Sequence, residues 1–271
     1  MTETLVRPPT YDFPAPSKPV GTLLDVAYVT DGIGFLEPQG LTESYNCMIL
    51  DSVAVWPCPT TASPKTFGDS PSWVDGIRFA VYGGITCKGP GFSMTDGLTK
   101  ARQSFEAMES VGVERALMKT RFVAGPTWGA ATDLTPAGGA VVPAAGLAIL
   151  EGDAACKYAG VPIIHAPRAV ASLLTGIQGS ITNEGNALVT KLGSKVAAGG
   201  GYGCPNSGPT GAAPAAGELW MYGTGMVTVA RGELMTFSDI DRSTNDVRLL
   251  VERAYVAAVD CYVSAVRVKV A

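Results

Sequence analysis

One segment sets the terms for the rest of the chain. "SMTDGLTKARQSFEAMESVGVERALMKTRF", Ser93 to Phe122, is predicted as a single long helix. Ser93 or Thr95 can cap it, and Leu98, Ala101, Phe105, Met108 and Gly112 recur at the helical period along one stripe. Lys100, Arg102, Glu106, Glu109 and Glu114 fall away from that stripe and are expected on the solvated side, with Arg102 and Glu106 as an i,i+4 surface pair. Some 25 residues at 1.5 Å each make a rod of roughly 40 Å. It has one apolar side, so packing is needed along that side only.

The flanks differ in kind. The first twenty residues hold Pro8, Pro9, Pro14, Pro16 and Pro19, which fix an extended path and remove backbone donors, so an arm is expected there rather than a core element. Tyr45 to Trp56 and Trp73 to Cys87 read as strands around a Pro/Ser/Thr/Gly-rich stretch, Pro57 to Ser72, which makes a long hairpin with a flexible tip. A hairpin that projects has little core of its own and needs a partner to lie against. After the helix and a Gly/Pro/Thr-rich connection, Gly125 to Pro143, "AGLAILEGDAACKYAG" is predicted as a second helix, "VPIIHA" as a buried strand, and "PRAVASLLTGI" as a helix opened by Pro167. "NALVTKLGSKVAAGG", "ELWMYGTGMVTVARGEL" and "DVRLLVERAYVAAVDCYVSAVRVKV" read as strands.

Composition narrows the function classes. Charged residues make up 16% of the chain against 46% hydrophobic, with a mean hydropathy of +0.21, so much of the surface is expected to be covered by something other than water. No run of about 18 apolar residues predicts a membrane span, and Met1 to Tyr11 lacks the apolar core of a signal peptide, so synthesis in the cytosol and no membrane partner are expected. A net charge of -4 argues against a dedicated nucleic-acid binder, which needs a basic face to displace counterions. Six cysteines, Cys47, Cys58, Cys87, Cys156, Cys204 and Cys261, stand at irregular spacings and are read as reduced, mostly buried thiols.

Motifs for chemistry fail one by one. "GGGYGCPNSGPTGAAPAAG", from Gly199, fits neither a phosphate loop nor a dinucleotide fingerprint, and its prolines prevent the helix that would aim amides at an anion. "DIDRSTND", Asp239 to Asp246, lacks the glycine and the bidentate acid of a calcium loop and reads as a turn. Glu106 and Glu109 have no helical histidine partner for a metal. His165 is the one histidine, set in an apolar strand with no acid nearby, and reads as a hydrogen-bonded structural residue. No catalytic, cofactor-binding or metal-ligating residue is assigned, and no cofactor is expected.

The order of arm, projecting hairpin, long helix, mixed α/β middle and returning strands resembles tailed-bacteriophage major capsid proteins of the Hong Kong 97-like fold, to which encapsulins are related. "YGGITCKGPGFSMTDGLTKARQSFEAMESVGVERAL", "VPIIHAPRAVASLL", "LWMYGTGMVTVARGEL" and "VERAYVAAVDCYVSAVRV" carry the likeness, which is to capsid proteins of actinobacterial phages. It implies an α+β fold with residues 1–44 as N-terminal arm and 45–92 as extended loop with flanking strands. The peripheral domain would take 93–143 with its spine helix at 93–122, the axial domain 144–219, and the returning peripheral strands 220–271. Assembly residues implied are the extended-loop tip, Pro57, Lys65, Phe67 and Ser72, and the axial loop, Gly199, Gly201, Gly203 and Pro205, whose glycines would let copies approach around a symmetry axis. Lys65 is the candidate lysine for the family's Lys–Asn crosslink, though no matching glutamate is evident in the sequence.

By the same resemblance, the chain would self-assemble as hexamers and pentamers into an icosahedral virion capsid in the bacterial cytoplasm. It would enclose double-stranded DNA by non-specific contact, with scaffolding, portal and decoration proteins as further partners. The low charge then reflects surface buried against neighbours. Two alternatives stay open: an encapsulin-like compartment shell or capsid pentamer protein, and a small α/β enzyme with a ligand over Gly199–Gly203.

Overall fold

The computed structural model describes residues 16–33, 42–45, 72–88, 93–122, 131–158, 160–176, 180–244 and 246–270. In chain order the elements are α1 (Leu23–Val26), β1 (Tyr28–Ile33), β2 (Thr42–Tyr45), β3 (Ser72–Asp75), β4 (Ile77–Lys88) and α2 (Met94–Leu117). Then come β5 (Thr132–Asp133), α3 (Pro143–Lys157), β6 (Ile163–Pro167), α4 (Arg168–Gly176), β7 (Ile181–Glu184), β8 (Ala187–Thr190) and β9 (Lys195–Gly199). The chain closes with β10 (Glu218–Thr224), β11 (Val227–Gly232), β12 (Met235–Asp241), β13 (Asp246–Val259) and β14 (Val263–Lys269).

β13 organises the first sheet. One of its edges pairs with β4 along twelve residues, from Asp246↔Lys88 to Ala257↔Ile77, while the other pairs first with β12 and then with β11. β1 adds to β11 in parallel. Across this sheet lies α2, capped by Ser93, whose hydroxyl accepts from the Asp96 amide at 3.3 Å. The approach is close: a Cβ built on Gly112 would stand 2.4 Å from Val81 Cγ1. At 24 residues α2 is about 36 Å long, and a π-helical turn, Met118–Phe122, carries it on into the core.

The second sheet has seven strands in the order β5-β14-β10-β6-β9-β8-β7. β6 lies at its centre and is buried at every residue, which is why "IIHAP" does not alternate between core and solvent residues. α3 and α4 cover one face through Leu147, Leu150, Val170 and Leu174. Phe122, Tyr202 and Tyr222 fill the space toward α2.

Several expectations change here. Residues 220–271 do not stay in one sheet: β10 and β14 belong to the seven-stranded sheet, β11 to β13 to the five-stranded one. Both crossings occur together, where the Gly225 amide donates to Tyr262 O and the Asp260 amide to Met226 O. Within the stretch expected to be an arm, Leu23 and Val26 are fully buried and β1 joins a sheet. The strand read at Trp73 to Cys87 is two strands, β3 pairing with β2 as a hairpin base and β4 entering the main sheet. Beyond Tyr45, the strand expected at 45–56 lies outside the described residues. Pro167 ends β6 instead of opening α4, and Pro143 holds the first-turn position of α3. The reading of six reduced, mostly buried thiols is corrected too: Cys261 is disulfide-bonded, while Cys156 and Cys204 are free and exposed, one on α3 and one in the glycine-rich loop. Spacing does not mark Cys261 as bridged, because the fold, not the sequence interval, brings sulfurs together.

Candidate functional site

The polar groups that a ligand site would need collect where α2 passes over the junction of the two sheets. Ala101, Phe105, Val113 and Leu117 are buried on α2, and so are Glu109, Ser110 and Glu114. Neither glutamate is solvated as expected, and Met108, placed on the apolar stripe by periodicity, is 54% exposed. Each buried acid has its partners. Glu109 accepts from the Tyr255 hydroxyl and from the Arg253 guanidinium of β13. Replacing it by glutamine removes the charge facing Arg253 while keeping an acceptor, and should cost about 2 kcal/mol in urea denaturation; a loss below about 0.5 kcal/mol would show that the pair contributes little.

Glu114 occupies the space that the glycines leave open. Its Oε2 accepts the Gly201 amide at 2.8 Å and its Oε1 the Leu23 amide at 3.1 Å. A Cβ on Gly199 would lie 2.0 Å from the Glu114 carboxyl carbon, and one on Gly201 only 2.6 Å from Val111 O. The loop therefore cradles a carboxyl group, and that group is a side chain of its own chain. Burial raises the Glu114 pKa to about 7, against the downward pull of the Leu23 and Gly201 amides and of the Arg168 guanidinium.

Beside it runs a directed chain of hydrogen bonds. The Thr224 hydroxyl donates to Gly225 O at 2.8 Å, so toward His165 Nε2, also 2.8 Å away, it can only accept. His165 is thereby the Nε2–H tautomer, and its Nδ1 accepts from the Tyr202 hydroxyl at 2.8 Å. Burial keeps the imidazole neutral down to about pH 3 and pushes the Tyr202 phenol upward. Phe122 packs edge-on at 5.0 Å between ring centroids. With both ring nitrogens held by hydroxyls and no exposed surface, His165 is the structural residue that its setting in the sequence suggests. Asn206 clips the loop to β10, donating to Tyr202 O at 2.8 Å and to Trp220 O at 3.1 Å while accepting the Trp220 amide at 2.8 Å.

Of the sequence-derived assembly residues, Pro57, Lys65 and Phe67 lie outside the described residues and Ser72 is the first residue of β3. Gly199 and Gly201 are buried under α2, Gly203 is half-buried, and Pro205 is exposed after a cis peptide bond. The loop, the end of α2 and the π-helical turn after it line a half-open pocket of about 280 Å³, formed by Arg115, Met118, Lys119, Gly201, Pro205 and Ser207. "DIDRSTND" runs from the end of β12 through a turn at residues 242–244 to the start of β13, with the Asp241 carboxylate accepting the Ser243 amide and hydroxyl at 3.0 and 2.6 Å. Among the described residues no group of three or more His, Cys, Asp or Glu side chains is arranged to hold a metal ion.

No family model matches this chain, and no curated protein matches it in sequence. Solved structures do. The capsid of the native GTA particle is similar with a TM-score of 0.55 and 12% identity, covering 98% of this chain and 96% of that one. The SrpI encapsulin of Synechococcus elongatus PCC 7942 follows at 0.54 and 12%, covering 97% and 93%. A chain from Microbacterium phage Oxtober96 gives 0.54 and 10%, covering 97% and 95%. At these identities the shared property is the fold, and it runs nearly end to end in both chains. The chain has the α+β, Hong Kong 97-like fold of phage capsid subunits and encapsulin, which bears out the resemblance read from its sequence.

Proposed function

We propose that this chain is a shell subunit, and that its copies assemble as hexamers and pentamers into an icosahedral bacteriophage capsid around double-stranded DNA. The supporting observation is the fold correspondence with capsid subunits over 98% of the chain. The junction is consistent with it. Its buried acids, histidine and asparagine are engaged within the subunit, fixing two sheets and a long helix as one block, which is what a lattice of many identical contacts requires. In this reading the tip around Pro57, Lys65, Phe67 and Ser72 reaches over a neighbour, and Gly203 and Pro205 face other copies at the capsomer centre. DNA is enclosed by non-specific contact, and scaffolding, portal and decoration proteins are the further partners in a virion built in the host cytoplasm.

The encapsulin correspondence, at a TM-score of 0.54 against 0.55, gives a second reading: a compartment shell that holds no genome. Negative-stain microscopy of the expressed chain should show closed particles hundreds of ångströms across. Nuclease-protected DNA in particles from infected cells separates capsid from compartment. A small oligomer alone would overturn both. Replacing residues 57–71 with an Asn-Gly turn should leave the circular dichroism spectrum intact and abolish closed particles, because every subunit loses the same contact. Normal shells from that variant would remove the tip from the assembly contacts.

A further inference from the structure

Residues 20–26 hold three parts of the molecule at once. The Arg168 guanidinium at the start of α4 donates to Val20 O at 3.3 Å, and the Ala198 amide of β9 to Gly21 O at 2.6 Å. The Gly21 amide donates to Asn186 O at 2.9 Å, in the turn between β7 and β8. Thr22 meets the Ser110 hydroxyl of α2 at 2.9 Å, the Leu23 amide reaches Glu114, and Leu23 and Val26 are buried beneath. The chain then continues into β1 on the other sheet. This short segment is a clasp across α2, the seven-stranded sheet and the five-stranded sheet.

The two amides that hold Glu114 are not equally fixed. Gly201 sits in a loop clipped to β10 through Asn206, whereas Leu23 belongs to a four-residue helix with no sheet pairing of its own. Lifting residues 20–26 is therefore the short route by which water reaches Glu114. We propose that residues 20–26 form a proton-responsive clasp, seated while Glu114 is neutral and loosened when Glu114 ionises. The reason is solvation: a seated clasp forces the carboxylate to stay dry with two amides as its only hydrogen-bond donors, and an open one returns it to water.

Other charges around it modulate the balance. Arg168 favours the ionised form, Asp25 of α1 opposes it, and Tyr202 is held neutral by burial. Asp25 itself accepts the Thr22 amide at 2.8 Å and lies 3.9 Å from Lys18 Nζ. With Glu114 near 7 when seated and at its ordinary 4.5 when exposed, seating weakens roughly tenfold or more between pH 5.5 and pH 8. The clasp lies within one subunit and would act whether or not the chain builds a shell.

Hydrogen–deuterium exchange of the full chain, expressed as protection over the intrinsic rate at each pH, tests it. Peptides spanning 20–26 should lose protection, roughly tenfold, as pH rises from 5.5 to 8, while 199–203, held to β10 through Asn206, and the β4–β13 ladder keep theirs. In Glu114→Gln the dependence should vanish. Ser110→Ala, a milder change that removes only the Thr22 contact, should lower protection of 20–26 at every pH and leave the midpoint where it was. Protection of 20–26 that does not change with pH in the native chain, an equal loss in 199–203, an unchanged profile in Glu114→Gln, or a displaced midpoint in Ser110→Ala would each overturn the clasp.

Discussion

Gly201→Ala is expected to destabilise the subunit by about 4 kcal/mol, a large loss for one methyl group. The added Cβ would stand 2.5 Å from Glu114 Cβ, 2.6 Å from Val111 O and 3.0 Å from the Arg115 amide nitrogen. Two of these atoms are helix backbone, so no rotamer change relieves the overlap. Either α2 lifts off the loop or the loop withdraws, and both break the Gly201 amide bond to Glu114 and leave a buried carboxylate half satisfied. Two further glycines calibrate the number. Gly138→Ala meets nothing within 4 Å and should fall within about 0.5 kcal/mol of the native chain. Gly152→Ala, inside α3 and equally open, should gain about 0.5–1 kcal/mol from helix propensity. Urea midpoints measure all three. If Gly201→Ala costs less than about 1 kcal/mol, the loop and helix are not in the close register described.

What the sequence conveyed, and what it withheld, follows from the physics of each signal. The Ser93 cap, the long helix and the turn at Asp241 are local, so they are visible in local pattern. The burial of Glu109 and Glu114 is not. Helical periodicity says which residues share a side, but how far round the helix the packing extends depends on what lies against it, here Tyr255 and Arg253 on one flank and the glycine loop on the other. Glycines at 199 and 201 announce a close approach without naming the approaching group. The one distant signal available was the pairing of two acids on a helix with hydroxyls and glycines far along the chain, and nothing in the sequence links them. The exchange of strands between sheets is hidden for a related reason: β10 and β11 follow one another in a single strand-like run, and only the break at Gly225–Met226 marks the change of layer.

Glu114 and His165 predict an unusual dependence of stability on pH. Glu114 binds its proton more tightly when folded, with a pKa of about 7 against 4.5 when exposed. Its contribution is present in full below pH 4.5 and is lost as pH rises to about 7. His165 behaves in the opposite sense, with its pKa lowered from 6.5 to about 3 by burial. Its contribution is present above pH 6.5 and is lost as pH falls toward 3. Between pH 4.5 and 6.5 the folded state keeps one proton that the unfolded chain releases and refuses one that the unfolded chain takes up, so the two slopes cancel. Removing either group exposes the other. In Glu114→Gln only the histidine titrates, and stability relative to the native chain should rise by about 2–3 kcal/mol from pH 4.5 to 6.5. In His165→Gln the new carbonyl can still accept from Tyr202 and the new amide can donate to Thr224, so the fold persists while only the glutamate titrates. Relative stability should then fall by about the same amount over the same range. Taking differences against the native chain removes the exposed carboxylates, which are common to all three proteins. Urea midpoints at half-unit steps of pH give both slopes, and slopes of the same sign in the two variants, or none in either, would show that these buried groups do not titrate as the structure requires.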